Sequence, residues 1–125
     1  MKFLQKPIIY LEDNDFDSEG NIANQQLKTN KPVFIFIQAN FCGYCTQAKP
    51  DFQTLAEKYQ NKYIFATIQG DSELEETKKI MKKLDKIYPN FMGFPSYIIY
   101  HNGRRIIYEE GRDFDSMETF LNKLY

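Results

Sequence analysis

Two cysteines, Cys42 and Cys45, are the residues of this sequence whose type and spacing could support covalent chemistry. They follow a run over 33–37 that is apolar at every position, and they begin a segment with helical spacing of apolar residues. A thiol at a helix N-terminus lies near unpaired backbone N–H groups, which favour its thiolate form. A second thiol one turn later lies on the same face and can attack a mixed disulfide formed by the first. The spacing therefore predicts thiol–disulfide exchange, in which Cys42 attacks and Cys45 resolves.

Metal binding is the main alternative for these residue types. The same cysteine spacing occurs in half of a zinc site, but His101 is the one histidine that could complete it. We therefore expect no metal at the cysteines. Elsewhere, Asp13, Asp15 and Asp17 alternate as in a calcium loop, although Ser18 stands at the position that requires glycine. A solvated acidic loop is the favoured interpretation of that segment.

Composition and charge exclude several other classes of protein. The chain has 125 residues, and its 16 basic and 17 acidic side chains leave a net charge of -1, without the surplus that a nucleic-acid binder carries. No run approaches the roughly 18 apolar residues of a membrane span. The opening MKFLQKPIIY contains a lysine and a proline where a signal peptide needs an unbroken apolar stretch. We expect a single domain over 1–125 that is cytoplasmic and monomeric, with no nucleic-acid or membrane partner.

Hydrophobic periodicity predicts the elements that must position the cysteines. The predicted strands are 7–11, 33–37, 63–68, 96–100 and 104–109, and the predicted helices are 22–27, 42–59, 73–88 and 114–124. Asn102-Gly103 predicts a hairpin turn between the last two strands. The order β-α-β-α-β-α-β-β-α predicts an α/β fold with a mixed central sheet and helices on both faces.

Two of the predicted helices carry more detailed patterns. The helix over 73–88 is predicted to bury one face, formed by Leu74, Thr77, Met81, Leu84 and Tyr88. In the last helix, Asp115 and Glu118 have the spacing of a capping box, which predicts the helix start.

Beyond the cysteines, the sequence resembles the thioredoxin family over nearly its whole length, most weakly before residue 30. Phe41-Cys42-Gly43-Tyr44-Cys45 resembles the active-site turn of that family, and Pro50 resembles the proline of its active-site helix. Gly93-Phe94-Pro95-Ser96 resembles the loop whose proline is cis and packs against the two sulfurs. Gly111 matches the glycine that borders the peptide-binding groove. The resemblance implies a thioredoxin fold with a redox-active disulfide and no separate cofactor.

The sequence departs from the family pattern beneath the second cysteine. The position of the family's buried acid holds Phe36, and the position of the lysine often paired with that acid holds Thr67. We therefore expect proton transfer at Cys45 to use water or another group, or to be slower. Gly43-Tyr44 replaces the Gly-Pro that thioredoxins usually carry between their cysteines.

The resemblance also implies a groove that holds an extended stretch of a client protein. We expect its lining to be Phe41, Gly43, Tyr44, Met92, Gly93, Phe94, Pro95 and Gly111. The implied activity is protein-disulfide oxidoreductase, running as a reductase in a reducing cytosol and as an oxidase or isomerase in an oxidising compartment. Its partners would be disulfide-containing client proteins and an upstream thiol donor or acceptor.

Two alternative functions remain open on the sequence. One is a glutaredoxin-like reductase that depends on glutathione, which the tyrosine at position 44 favours. The other is a non-enzymatic binding module of thioredoxin-like fold, in which the cysteine pair acts as a redox-controlled clasp. The missing buried acid fits the second alternative, because turnover would matter less there.

Overall fold

The apolar run after residue 32 forms the central strand of a five-stranded mixed sheet. The structure, a computed structural model, describes residues 3–124 apart from the side chains of residues 76 and 77. The strands are β1 (Ile9–Tyr10), β2 (Val33–Gln38), β3 (Ile64–Gln69), β4 (Ser96–His101) and β5 (Arg104–Tyr108), in the spatial order β1-β3-β2-β4-β5. Strands β1 and β2 are parallel to β3, whereas β4 is antiparallel to both β2 and β5.

Helices cover both faces of this sheet, and together with the mixed sheet they confirm the predicted α/β fold. The helices are α1 (Gly43–Tyr59), α2 (Glu75–Lys79), α3 (Leu84–Ile87) and α4 (Phe114–Asn122), with 3-10 turns at Asp13–Asp15, Gln25–Leu27 and Ile80–Lys83. Within residues 3–124, no helix combines the length and the apolar character that crossing a membrane requires.

Every residue of β2 is buried because the two faces of the sheet are both covered. Side chains alternate between the faces with the period of a strand. One face, which we call the α1 face, packs against α1 and α4 and contains Phe34, Phe36, Phe65, Tyr97 and Ile99. The other, the α3 face, packs against residues 80–87 and contains Ile35, Ile37, Ala66, Ile68, Ile98 and Tyr100.

The hairpin that joins β4 to β5 has the predicted turn. Asn102 and Gly103 both have positive φ, 54° and 75°, which a two-residue turn between twisted strands requires. Strand β4 therefore pairs with β5 directly at the turn, with His101 opposite Arg104.

The prediction of one helix over 73–88 is wrong, because the segment contains α2, a 3-10 turn and α3 in succession. A 3-10 turn has fewer residues per turn than an α-helix, so it rotates the buried face. Leu84 is buried as predicted, but the other buried residues are Ile80 and Ile87. Met81 and Tyr88 are only partly buried, and Leu74 is 66% exposed. The predicted face also included Thr77, whose side chain lies outside the described residues.

The predicted helix over 22–27 is also wrong. Ile22 forms an isolated β-bridge with Phe16, and only Gln25–Leu27 turns, as a 3-10 helix. The Asn24 side chain accepts a hydrogen bond from the Gln26 N–H and starts that turn late. Six residues are too few to repay the cost of helix nucleation without strong packing.

The last helix begins where Asp113, not Asp115, caps it. The Asp113 carboxylate accepts a hydrogen bond from the Ser116 N–H at 3.0 Å. Glu118, predicted to complete a capping box, instead accepts a hydrogen bond from Lys58 at 2.8 Å and another from the Tyr59 hydroxyl. A tertiary contact with α1 therefore decides the role of this glutamate.

The acidic loop directs its carboxylates to neighbouring groups of the protein. Asp13 forms an ion pair with Lys83 at 3.2 Å, and Asp15 accepts hydrogen bonds from Glu12 and Asn24. Across the described part of the chain, no group of three or more histidine, cysteine, aspartate or glutamate side chains converges as metal ligands would.

Candidate active site

Cys42 is the N-cap residue of α1, directly after the turn that follows β2. Its backbone is extended (φ -89°, ψ 115°), and its sulfur accepts a hydrogen bond from the Cys45 N–H at 3.2 Å. The Cys42 N–H in turn donates to the Ala39 carbonyl at 3.2 Å. Cys42 is half-buried, Cys45 is fully buried, and both are free thiols. The structure thus places one accessible sulfur at the helix terminus and a second one turn further into the core.

The environment of Cys45 keeps it protonated. Burial, together with the hydrogen bond and the charge of Cys42, raises the pKa of the Cys45 thiol to about 12. A backbone hydrogen bond at Ala39 and the charge of Lys49 lower it, but by less than burial raises it. Cys45 is therefore a neutral thiol at neutral pH, and it must lose a proton before it can act as a nucleophile.

Lys49 is a buried lysine that the sequence pattern does not predict. It follows Cys45 by four residues on α1, and its side chain is fully buried. Its Nζ donates to Asn40 Oδ1 at 2.7 Å. Because lysine is almost always exposed unless its amine is partnered, residue type alone argues against this placement. The four-residue spacing from Cys45, which puts both on one helix face, is the available sequence signal.

Asp71 holds the turn that leads into Cys42, and it is a second residue that sequence reasoning misses. Its carboxylate accepts hydrogen bonds from the Asn40 N–H at 3.0 Å and the Phe41 N–H at 3.1 Å. Burial alone would raise the pKa of Asp71, but the bonds from Asn40, Gln69 and Phe41 outweigh it and lower the pKa. An aspartate directly beyond the C-terminal end of β3 was the signal that could have suggested this role.

The loop before β4 lies beside Cys42, as the resemblance implies. The Phe94–Pro95 peptide bond is cis. The Cys42 thiol lies 3.8 Å from the Phe94 carbonyl oxygen, to which it can donate. Gly93 has a φ of +142°, a conformation that side-chain-bearing residues rarely adopt. The structure therefore brings the predicted loop residues Gly93, Phe94 and Pro95 to the accessible sulfur.

The ring of Phe94 fixes this loop against its neighbours. It packs edge-on against Phe41 at 5.9 Å and against Phe91 at 5.3 Å between ring centroids. A Cβ atom on Gly70 would come within 2.3 Å of the Phe94 ring. Glycine at position 70 therefore leaves room for the Phe94 ring where it lies, a role that the sequence did not suggest.

Large apolar side chains are exposed around Cys42. Phe41 is 73% exposed, Tyr44 is 68% exposed and Met92 is 95% exposed. Gly43 lies exposed between the cysteines, and an added Cβ there would meet no atom within 4 Å. Met92 also lines a cavity of about 590 Å³ with Tyr88, Pro89, Asn90, Ser96, Ile107 and Glu109. Exposed apolar side chains, which we call the apolar rim, thus flank Cys42 in the chain at Phe41 and Tyr44 and begin the loop beside it at Met92.

The loop before α4 approaches the same rim through Arg112. The guanidinium of Arg112 lies 5.6 Å from the centroid of the Tyr44 ring. The neighbouring Gly111 has a local structural reason, because a Cβ there would come 2.6 Å from the Asp113 carboxylate and 2.7 Å from the Ser116 hydroxyl. Gly111 thus makes room for the cap of α4, and its part in a groove remains a prediction.

The position that resembles the family's buried acid holds a ring in an apolar environment. Phe36 is fully buried and stacks on Tyr97, with 4.8 Å between centroids and an interplanar angle of 5°. The Thr67 hydroxyl donates to the Phe36 carbonyl at 2.6 Å. The predicted departures from the pattern, Phe36 and Thr67, are therefore neighbours in the structure, and neither side chain is charged.

The chain matches a known protein family along most of its length. The thioredoxin family model matches residues 8–123, and the chain belongs to the thioredoxin family. It is 43% identical over 133 residues to the thioredoxin-like protein 453L of Invertebrate iridescent virus 6, with 96% of each chain covered. It is 27% identical over 110 residues to Protein disulfide-isomerase 1 of Dictyostelium discoideum, which spans 85% of this chain and 28% of that protein.

A further relative agrees with this assignment, and a solved structure has the same fold. The chain is 28% identical over 78 residues to Thioredoxin of Borreliella burgdorferi, covering 62% of this chain and 59% of that one. The crystal structure of the J-Trx1 fragment of ERdj5 superposes with a TM-score of 0.69 at 17% identity, covering 94% of this chain and 51% of that one. That likeness shows that the fold is the thioredoxin fold.

Proposed function

We propose that this chain is a thiol–disulfide oxidoreductase that acts on protein disulfides through Cys42 and Cys45. The observation that carries the proposal is the pair of thiols at the start of α1, in which Cys42 is half-buried and Cys45 is fully buried. The Cys45 N–H donates a hydrogen bond to the Cys42 sulfur at 3.2 Å. Relatives named as thioredoxin and as protein disulfide-isomerase support the same class of reaction.

The reaction follows from the accessibility of the two sulfurs. The Cys42 thiolate attacks one sulfur of a client disulfide, the client S–S bond breaks, and the other client sulfur leaves as a thiolate. Cys45 then loses its proton and attacks the Cys42 sulfur, and the client sulfur departs with its bonding electrons and gains a proton. The client has gained two electrons, and the chain holds a Cys42–Cys45 disulfide that an upstream thiol donor reduces.

Client recognition rests on the backbone and on the apolar rim rather than on a charged patch. The exposed rings of Phe41 and Tyr44, together with Met92, offer contact area on either side of Cys42. A client strand laid past the Phe94–Pro95 bond would meet the polar backbone of that loop next to the sulfur. A net charge of -1 supplies little long-range steering.

A binding module with a redox clasp is the second candidate, and the buried environment of Cys45 favours it. Burial raises the pKa of Cys45 to about 12, and Phe36 supplies no acid to take its proton. A slow resolving step would leave a client covalently bound to Cys42 for longer. The chain would then hold its partner rather than turn it over.

Insulin-disulfide reduction by dithiothreitol separates these candidates. The wild-type chain is expected to accelerate insulin precipitation, and Cys42→Ser to fall to the uncatalysed rate. Without dithiothreitol, the reduced Cys45→Ser variant is expected to accumulate a mixed disulfide with insulin. Serine is the matched replacement, since it keeps the shape of cysteine and removes the nucleophilic sulfur. No acceleration by a wild-type chain that forms the Cys42–Cys45 disulfide would favour the binding module. Acceleration that requires glutathione would favour the glutaredoxin-like alternative.

A further inference from the structure

The Tyr97 hydroxyl is a buried polar group whose hydrogen-bonding capacity is not used. Tyr97 is 3% exposed, and among residues 3–124 its hydroxyl has no hydrogen-bond partner. Leaving such a group unpaired in the core is unfavourable, because it has given up its hydrogen bonds to water. Other hydroxyls on this face of the sheet are used, since Thr67 donates to the Phe36 carbonyl and Tyr108 to the Gly111 carbonyl. The Tyr97 hydroxyl therefore calls for a functional explanation.

Tyr97 lies where proton transfer is needed. In the register of β2 and β4 it is directly opposite Phe36, and the two rings stack. Phe36 occupies the position that resembles the family's buried acid, and Cys45 belongs to the same packed cluster on the α1 face. Tyr97 thus brings a hydroxyl into the layer from which the carboxylate is missing.

Gln38 supplies a second unused polar group on the same face. It follows Phe36 by two residues on β2 and is fully buried. The nitrogen and oxygen of its side-chain amide have no hydrogen-bond partner within the described part of the chain. Side chains that are diagonal across a strand pair, as Gln38 and Tyr97 are, lie about 7–8 Å apart at their backbones. A buried water usually makes about three hydrogen bonds to groups of this kind.

Burial keeps the Tyr97 phenol protonated. Burial raises the pKa of Tyr97; the charge of Arg112 opposes this, whereas those of Cys45, Tyr108 and Asp51 add to it. A neutral phenol can donate a hydrogen bond throughout the physiological range. Tyr97 and Cys45 belong to the same packed cluster, and no direct hydrogen bond joins the hydroxyl to the sulfur.

We propose that Tyr97 is a positioning residue for the resolving step, whose hydroxyl holds a water molecule against the Cys45 thiol, with the Gln38 amide as the second anchor. The inference rests on the proposed function, because it concerns the second half of that reaction. The water accepts the Cys45 proton as the Cys45 sulfur attacks Cys42. It passes a proton to the client sulfur, which leaves with the electrons of the broken Cys42–client bond. The water and the Tyr97 hydroxyl end as they began.

The test measures the two halves of the reaction separately in single turnovers. The probe is a cysteine peptide joined by a disulfide to 2-nitro-5-thiobenzoate. Attack by Cys42 releases the coloured thiol, and acid quenching followed by mass spectrometry follows the decay of the Cys42–peptide mixed disulfide. Tyr97→Phe keeps the ring and removes only the hydroxyl. We expect it to leave the rate of attack within about twofold of wild type and to slow resolution by at least about tenfold.

A pH profile of resolution separates this role from a structural one. In Tyr97→Phe the resolving rate is expected to rise at a higher pH than in wild type, because the Cys45 proton then lacks its positioned acceptor. The other groups that face this region are unchanged in the variant: Cys42, Lys49 and Asp51 from α1, Arg112 from the loop before α4, and Tyr108 from β5.

Tyr100→Phe is the matched control, because it removes a buried hydroxyl from the same strand on the opposite face. It should resolve the peptide at the wild-type rate with the wild-type pH profile. Equal resolving rates and profiles for Tyr97→Phe and wild type would overturn the inference and leave the proposed function intact. Equal slowing in both variants would also overturn it. A wild-type chain that never releases the coloured thiol would instead refute the proposed function.

Discussion

The two faces of the sheet treat the same residue type in opposite ways. Tyr97 and Tyr100 lie three residues apart on β4, and alternation along the strand sends them to different faces. The Tyr100 hydroxyl donates to the Gly20 carbonyl at 2.6 Å, and Arg105 lies 5.2 Å from its ring centroid. The Tyr97 hydroxyl has no partner in the described residues. The α3 face satisfies its buried hydroxyl, and the α1 face leaves one available.

This difference extends to the rest of each core. The α3 face is largely aliphatic, built from residues such as Ile35, Ile37 and Ile98. The α1 face is aromatic and lies beneath α1, whose buried residues include Cys45 and Lys49. Buried polar groups are normally satisfied unless a site needs them for chemistry. The α3 face therefore mainly stabilises the fold, whereas the α1 face also carries the candidate site.

The largest expected effect comes from truncating one core side chain packed against each face. Phe52→Ala, on the α1 face, should lower the free energy of unfolding by about 3–5 kcal/mol, because Phe52 packs against Phe36 at 5.1 Å and Tyr97 at 6.2 Å. Ile80→Ala, on the α3 face, should cost about 2–5 kcal/mol. Urea denaturation checks both values.

The two truncations should differ in chemistry more than in stability. Folded Phe52→Ala is expected to resolve the peptide mixed disulfide more slowly, because the rings beneath Cys45 lose their packing. Folded Ile80→Ala should keep the wild-type rate. If Ile80→Ala slows resolution as much as Phe52→Ala does, the claim that only the α1 face serves the candidate site is wrong.

A smaller effect is expected from Asp71→Asn, at the turn that leads into Cys42. The carboxylate accepts hydrogen bonds from Asn40 and Phe41, so the substitution should cost about 1–2 kcal/mol at neutral pH and slow attack by Cys42. Denaturation and release of the coloured thiol measure these effects. Because the folded pKa of Asp71 is lowered, its contribution is present above the unfolded pKa and is lost as the pH falls through the folded pKa. The stability gap between wild type and Asp71→Asn should therefore narrow in acid, and a constant gap would contradict this account.

The smallest expected effect compares the stabilities of the two tyrosine variants. Tyr100→Phe leaves the Gly20 carbonyl without its donor and should lower the free energy of unfolding by about 0.5–1.5 kcal/mol. Tyr97→Phe removes a hydroxyl without a protein partner and should change it by less than about 0.5 kcal/mol. Urea denaturation midpoints with equal m-values distinguish them. An equal loss in both variants would mean that the Tyr97 hydroxyl stabilises the fold after all.

Local patterns predicted the elements that hold the cysteines, but not the partners of individual side chains. The apolar run became β2, Cys42 became the cap of α1, and Asn102-Gly103 became the hairpin turn. The segment over 73–88 was predicted as a continuous helix, yet packing against the sheet selected Ile80 and Ile87 and divided it. Periodicity alone could not choose between Ile80 and Met81, or between Ile87 and Tyr88, as the residue that faces the sheet.

The candidate site shows the same limit. Its two sulfurs, its cis-proline loop and its exposed rings were predictable because they follow one another in recognisable motifs. Asp71 and Lys49 were not, since each acts on the turn at Asn40 from a separate element. Gly111 was predicted as part of a groove, which stays a prediction; the structure shows that it makes room for the cap of α4.

The order of residues alone places two cysteines at the spacing of one helical turn, after a strand that must be buried on both sides. It also places a phenylalanine, which carries no ionisable group, at position 36. Which group lies opposite Phe36 depends on the folded chain, because β2 and β4 are far apart in the sequence and come together only in the sheet. Their register places the Tyr97 hydroxyl among the rings beneath Cys45. Burial, likewise a property of the folded chain, then makes Cys45 the thiol that must be helped to lose its proton.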